Sequence, residues 1–276
     1  MTRSTPPITR RTALRTAAGT ALLSVAGCLH DGDGSSPGST PPSDGSDVIQ
    51  RVAVEGTALV VEFSSDESLD RVNLIEPNGE VFGQRSVTTG AQRVSFELGT
   101  SYDPGEYRVV GLSNGETFAK MSTVIDPELQ IRDVGLFRNN PDKPWDDIYG
   151  ATETDRLKNG EAFVTVENTG TGVEAVVELV FSGGVPNPVE NPRRSGMYET
   201  ERVVIAPGET VDLFSNSFPF GSKSENGVGC SSDGNSGQFT VTLDTQVTEG
   251  QVSNTFDVRY SGSTEMSDCE VTITES

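Results

Sequence analysis

The chain holds a single histidine, His30, and three cysteines, Cys28, Cys230 and Cys269. A Ser-His-Asp triad, a Cys-His pair and a zinc-protease helix each need an imidazole held by a scaffold. His30 instead lies in LHDGDGSSPGSTPPSDGSD, Leu29 to Asp47, which has almost no apolar residue from which to build one. The chain has no P-loop and no metal-spaced cysteine cluster, so no catalytic residue and no metal ligand is assigned. Carboxylates are the remaining chemistry, because two opposed Asp or Glu side chains suffice for glycoside hydrolysis. With 41 acidic residues, a carboxylate-based carbohydrate-active enzyme is the alternative to a non-catalytic protein. Gly170-Thr171-Gly172-Val173-Glu174-Ala175 matches Gly-x-Gly-x-x-Ala of a dinucleotide site, but such a loop must open a helix. The VVELVF that follows is β-branched, which predicts a turn over Asn168 to Gly172 and then a strand.

Two segments carry residues suited to recognition. NNPDKPWDDIYG, Asn139 to Gly150, holds the only tryptophan. Trp145 and Tyr149 are suited to stacking on a sugar ring, with Asp142, Asp146 and Asp147 binding hydroxyls or calcium; the other reading places Trp145 over the open end of a sandwich. Calcium is the only cofactor this suggests. PNPVENPRRSGMYET, Pro186 to Thr200, is either a partner-binding loop or a proline-stiffened excursion, and Arg193-Arg194 in it is the densest basic pair.

The elements that must position these residues read as strands. From Val48 to Asp126, apolar-alternating runs recur every eight to twelve residues, the pattern of an all-β sandwich. The runs are Val48–Val54, Ala58–Phe63, Arg71–Glu76, Glu80–Val87, Gln92–Leu98, Glu106–Leu112 and Glu116–Ile125. In RVSFEL, Val94, Phe96 and Leu98 share one face, as period-two burial requires. Asn78-Gly79 and Asn114-Gly115 mark hairpins. Beyond Pro127 the strands are Leu129–Arg138, Ala162–Asn168, Glu174–Ser182, Arg202–Ile205, Thr210–Ser215, Gln238–Gln246, Ser253–Tyr260 and Cys269–Thr274.

YDPGEYRVVGL, Tyr102 to Leu112, resembles a strand approach common in immunoglobulin-like and fibronectin-like modules. FVTVENTGTGVEAVVELVF followed by IAPGETVDL resembles the adhesion-associated, CARDB-like immunoglobulin modules found outside prokaryotic cells. The resemblance covers Glu161 to Ile273, and the long insertions Asn139–Asn159 and Gly183–Glu201 depart from the compact pattern. It implies two consecutive immunoglobulin-like β-sandwich domains, residues 48–126 and 127–276.

Ahead of them, residues 1–27 read as a leader. Arg10 and Arg11 precede an alanine-rich segment without acidic residues, and Arg15 leaves only Thr16 to Gly27 uncharged. That is short of the about 20 apolar residues a spanning helix needs and fits a signal peptide. Thr9-Arg10-Arg11-Thr12-Ala13-Leu14 resembles a twin-arginine export motif, and Val25-Ala26-Gly27-Cys28 resembles a lipobox. The resemblance implies a two-chain lipid on Cys28, which would fix the protein to the outer face of the cell membrane. Residues 28–47 then form a Gly/Ser/Pro/Asp tether, and DGDG within it lacks the spaced ligands of an EF-hand.

Charge narrows the partners. The chain has 20 basic and 41 acidic residues, and loss of the four leader arginines takes the net charge from −21 to −25. Phosphate backbones are bound by clustered Lys and Arg, so a nucleic-acid role is excluded; an extracellular protein or glycan remains. Acids spread evenly through every segment form a solvated coat whose self-repulsion is screened in molar salt. With the leader, this composition resembles lipoproteins exported by salt-loving archaea. Outside the cell Cys230 and Cys269 are expected to pair.

Overall fold

A computed structural model of the chain describes residues 48–64, 69–140, 160–222, 228–265 and 268–276. The expectations placed on Arg10, Arg11, Cys28 and His30, and on Trp145, Tyr149, Asp142, Asp146 and Asp147, lie outside these residues. The described part is all-β and forms two immunoglobulin-like sandwiches.

The first sandwich contains β1 (Ile49–Glu55), β2 (Ala58–Phe63), β3 (Arg71–Ile75), β4 (Val81–Ser86), β5 (Arg93–Glu97), β6 (Gly105–Ser113) and β7 (Glu116–Ile125). They make a three-stranded sheet, β1-β2-β5, facing a four-stranded sheet, β4-β3-β6-β7. Alternation drives this packing: Val72 and Leu74 of β3 are buried, while Arg71, Asn73 and Ile75 on the other side of the strand are not. The inner faces meet around Leu59, Val61, Phe96, Tyr107 and Val109. Tyr107 locks the turn into β6, its hydroxyl donating to the Asp103 carbonyl at 3.0 Å. This is the tyrosine corner of immunoglobulin-like sandwiches, and burial raises the phenol to about 12.

The two Asn-Gly pairs build different turns. Asn114 (φ 52°) and Gly115 (φ 83°) both take left-handed backbone, giving the two-residue hairpin that joins Ser113 to Glu116. At Asn78-Gly79 only the glycine is left-handed, and Gly79 N–H donates to the Glu76 carbonyl. Pro77 holds φ near −65°, so this turn is the three-residue form.

The second sandwich contains β8 (Leu129–Leu136), β9 (Ala162–Asn168), β10 (Glu174–Gly183), β11 (Val203–Ile205), β12 (Thr210–Phe214), β13 (Asn235–Thr245), β14 (Gln251–Gly262) and β15 (Cys269–Glu275). Its sheets run β12-β9-β8 and β11-β10-β13-β14-β15. The strand order repeats that of the first sandwich, β8 standing for β1 and β14 for β7, with β15 added at the edge. β8 stops at Leu136 rather than Arg138 because the chain turns at Phe137, whose ring packs on Phe214 at 4.7 Å. The core includes Leu179, Phe181, Phe220, Phe239 and Phe256. The expected bridge is formed: Cys230 and Cys269, 39 residues apart, are disulfide-bonded, tying the loop before β13 to the edge strand.

Three residues, Asp126 to Glu128, separate β7 from β8. The turn after β9 grips this link: Thr171 and Gly172 N–H groups donate to the Asp126 carbonyl at 2.8 and 3.2 Å, and Thr169 N–H to the Glu128 carbonyl at 2.8 Å. A Cβ at Gly170 would strike Asp126 O and Glu128 N, and one at Gly172 would strike the Tyr102 hydroxyl. The Gly-Thr-Gly of the dinucleotide-like pattern is therefore a turn, and its glycines serve the close approach of a neighbouring chain segment.

Candidate functional site

The described residue types that invite recognition converge on the second sandwich, where the segment between β10 and β11 folds over the loop after β12. They border an open groove of about 870 Å³ whose lining includes Glu161, Arg193, Arg194, Tyr198, Glu199 and Phe218. The segment from Pro186 to Thr200, whose sequence fits either a partner-binding loop or a proline-stiffened excursion, is tied down along its length. Leu179 N–H donates to the Ser195 carbonyl at 2.8 Å, Tyr198 N–H to Phe214 and Asn216 N–H to Gly196. The Asn216 amide donates to the Arg193 carbonyl at 2.8 Å, and Ser195 Oγ to the Thr200 carbonyl at 2.6 Å. Met197, paired with Ser215 across an isolated bridge, sinks into the core at 3% exposure.

Between these anchors the backbone is strained. Arg194 (φ 57°) and Glu199 (φ 52°) are both left-handed, a conformation that costs a non-glycine residue about 1 kcal/mol or more. Gly196 (φ 73°) lies against the Leu179 carbonyl where no Cβ fits. The surrounding hydrogen bonds hold two charged side chains at the groove in a conformation they would not adopt alone. Arg194 approaches Glu201 at 3.8 Å with both side chains mostly exposed, a contact worth little, so the guanidinium stays available to a ligand. The lining thus combines two arginines, carboxylates and two aromatic rings, suited to a polar partner with anionic groups.

Sequence reasoning identified the Arg193-Arg194 pair but not the groove, which needs Glu161 from just before β9 and Asn216 and Phe218 from the loop after β12. It also missed the joint between the sandwiches. There the Tyr102 hydroxyl donates to the Val173 carbonyl at 2.9 Å, and the Gln246 amide donates to the Thr100 carbonyl at 3.1 Å. Arg202 reaches both Thr100 Oγ1 and Gln246 Oε1 at 3.2 Å. Glu174, 1% exposed, accepts from Val247 N–H at 2.7 Å, Thr248 N–H at 3.1 Å and Thr248 Oγ1 at 2.9 Å. A cleft of about 420 Å³ beside it is lined by Thr100 to Asp103 and Gln246 to Glu249.

For carboxylate chemistry, Glu178 and Asp244 face each other across β10 and β13. Partial burial and the neighbouring Asp244 carboxylate raise the Glu178 pKa. Glycosidase carboxylates stand about 5–10 Å apart across a cleft; this pair stands directly opposite on adjacent strands of one sheet. Among the described residues no three His, Cys, Asp or Glu side chains are grouped to hold a metal ion, and no helix is long and apolar enough to cross a membrane.

No family model matches the chain, and no curated protein does. A segment of two fibronectin type III domains from chicken tenascin is similar in fold, at 11% identity and a TM-score of 0.25, over 85% of this chain and 99% of that one. The IG1 and IG2 domains of DIP-gamma match at 14% identity and a TM-score of 0.22, over 77% of this chain and 95% of that one. A β-glucuronidase from glycoside hydrolase family 2 matches at 13% identity and a TM-score of 0.21, over 77% of this chain. The chain spans 18% of that enzyme's length.

Proposed function

We propose that the protein is a non-catalytic, lipid-anchored cell-surface module that binds an extracellular protein or glycan through the groove beside Arg193 and Arg194. The observation that carries this reading is the pair of left-handed residues, Arg194 and Glu199, held at that groove by a loop anchored at Ser195, Met197 and Asn216. A loop kept strained by so many hydrogen bonds presents its charges in one arrangement, which lowers the ordering cost of binding. Anchoring follows from the leader: Cys28 carries the lipid, and residues 28–47 tether the sandwiches to it.

Each half has its own test. Mass spectrometry of the membrane fraction should find a mature chain beginning at a lipid-modified Cys28, and Cys28→Ser should release the protein from membranes. An intact N-terminus with an unmodified sulfur would sink the anchoring. A photo-crosslinker placed at Tyr198 on intact cells should capture a partner whose yield collapses in the Arg193→Ala/Arg194→Ala variant. Equal capture by that variant would remove the groove from the account.

A further inference from the structure

The two outer faces of the first sandwich are built on opposite plans. On the three-stranded sheet, Arg51 pairs with Glu55 and Glu62, and Arg93 pairs with Glu55. Val60, which faces outward between Ala53 and Ser95, is only 2% exposed. That face is self-satisfied.

The outer face of β4-β3-β6-β7 is not. Arg71, Arg108 and Lys120 project from it without an ion pair or side-chain hydrogen bond among the described residues. The register sets these three cations around Val110: Arg108 lies two residues along β6, Lys120 directly across on β7, and Arg71 diagonally on β3 beside Asn73. Asn73 Oδ1 is buried there with no hydrogen-bond partner. The exposed large apolar side chains among the described residues also belong to this sheet: Val81 on β4 at 51%, and Phe118 and Val124 on β7 at 47% and 57%. Cations without partners among the described residues and exposed apolar groups together mark a surface that is complete only when covered.

The cover must be acidic, and the chain supplies acid in excess. Residues 127–276 hold 25 Asp and Glu against 10 Lys and Arg, a net charge of −15, and residues 48–126 hold 12 against 6, a net of −6; the acid density is similar, but the larger second sandwich offers about twice the acids and none of these three cations. A two-fold contact of this face with itself would gather Arg71, Arg108 and Lys120 of both copies into one interface with Glu106 of each, an excess of like charge that repels. We infer that this face receives the acidic second sandwich of another copy, so that chains associate head to tail. Such a heterologous contact does not close by itself and extends into strings or rings. Repulsion between chains of net charge −21 opposes association at low salt; in molar salt it is screened over about 3 Å, while contact pairs and apolar burial at Phe118 persist.

The test uses the full chain carrying Cys28→Ser, so that lipid cannot drive association and the outcome is independent of anchoring. In molar sodium chloride, sedimentation velocity should show concentration-dependent association. Arg71→Glu/Arg108→Glu/Lys120→Glu should weaken it about tenfold or more, with an unchanged unfolding midpoint. Phe118→Ala, a change at an exposed site, should weaken it without altering charge. Carbodiimide coupling between isotopically heavy and light copies should join Lys120 of one chain to a carboxylate within residues 127–276 of the other. The proposal is overturned by a monomer at every concentration, by association indifferent to the triple charge reversal, or by coupling of Lys120 to the first sandwich of the other copy. Binding of anionic lipid vesicles that the triple variant loses, in a chain that stays monomeric, would overturn it equally and assign the face to a membrane.

Discussion

The hydroxyl of Tyr102, in the loop before β6, donates a 2.9 Å hydrogen bond to the carbonyl of Val173, at the mouth of β10 in the other sandwich. Burial pushes the phenol's pKa far up, so the proton that makes this bond is retained at any ordinary pH. Gly172 lies against the same oxygen. Tyr102→Phe should destabilise the chain by about 1–2 kcal/mol, the cost of an orphaned buried carbonyl. Gly172→Ala should cost more, because its Cβ must displace the ring or the link from Asp126 to Glu128. Thermal unfolding of both variants checks this; the joint has no such role if Gly172→Ala melts with the wild type.

Glu174 is the buried acid of the joint, and it holds the β13–β14 turn by accepting from Val247, Thr248 and its neighbour Ala175. Glu174→Ala leaves buried N–H groups unpaired and is expected to cost about 3 kcal/mol or more. Glu174→Gln retains an acceptor and should lose less. Chemical denaturation separates the two; equal losses would mean that size rather than acceptance matters here.

The strands were legible in the sequence because their signal is local. Phe96 is buried between exposed Ser95 and Glu97, as alternation in RVSFEL requires. The joint was not legible, because the fate of Glu174 depends on Val247 and Thr248, more than seventy residues downstream, and nothing in VEAVVE distinguishes a buried carboxylate from a coat residue. Arg193-Arg194 was visible as a pair, yet the groove beside it requires loops brought together only by the fold. The cations of β3, β6 and β7, unpaired among the described residues, were not legible for a similar reason. Arg71, Arg108 and Lys120 are scattered in sequence, and only the register makes them neighbours.

The Cys230–Cys269 bridge spans 39 residues and contributes about 4 kcal/mol in the chain-entropy model. Reduction, or Cys230→Ser with Cys269→Ser, should lower the unfolding midpoint by about 10 °C, at roughly 2–4 °C per kcal/mol for a unit of this size. Calorimetry with and without a thiol reductant makes the comparison. A midpoint that does not move would show that the bridge carries no stability.

The acidic coat predicts a dependence on salt. Lowering ionic strength from molar to millimolar lengthens the Debye screening from about 3 Å to 30 Å or more, so the repulsion of an excess of 21 negative charges returns. The exposed pairs of Arg51 and Arg93 with Glu55 strengthen as salt falls, but exposed pairs are worth little. The unfolding midpoint should therefore drop on dialysis. Equal midpoints in molar and low salt would remove charge repulsion as a determinant of stability.

Glu178 and Asp244 provide a pH handle. Partial burial and the neighbouring Asp244 carboxylate raise the Glu178 pKa above its ordinary 4.5, so the folded chain holds this proton more tightly than the unfolded one. The stability it contributes is full below the unfolded value and is lost as pH rises through the folded value. At neutral pH the two carboxylates oppose each other across the strands, an arrangement that costs up to about 0.5 kcal/mol. Glu178→Gln should raise the unfolding midpoint by about 1–2 °C at pH 7, and the gain should shrink toward zero near pH 4, where the wild-type side chain is itself protonated. Measuring both chains across that range decides the matter: a gain that is constant with pH would point to packing, and a loss at pH 7 would show that the pair is held by a favourable contact rather than strained by repulsion.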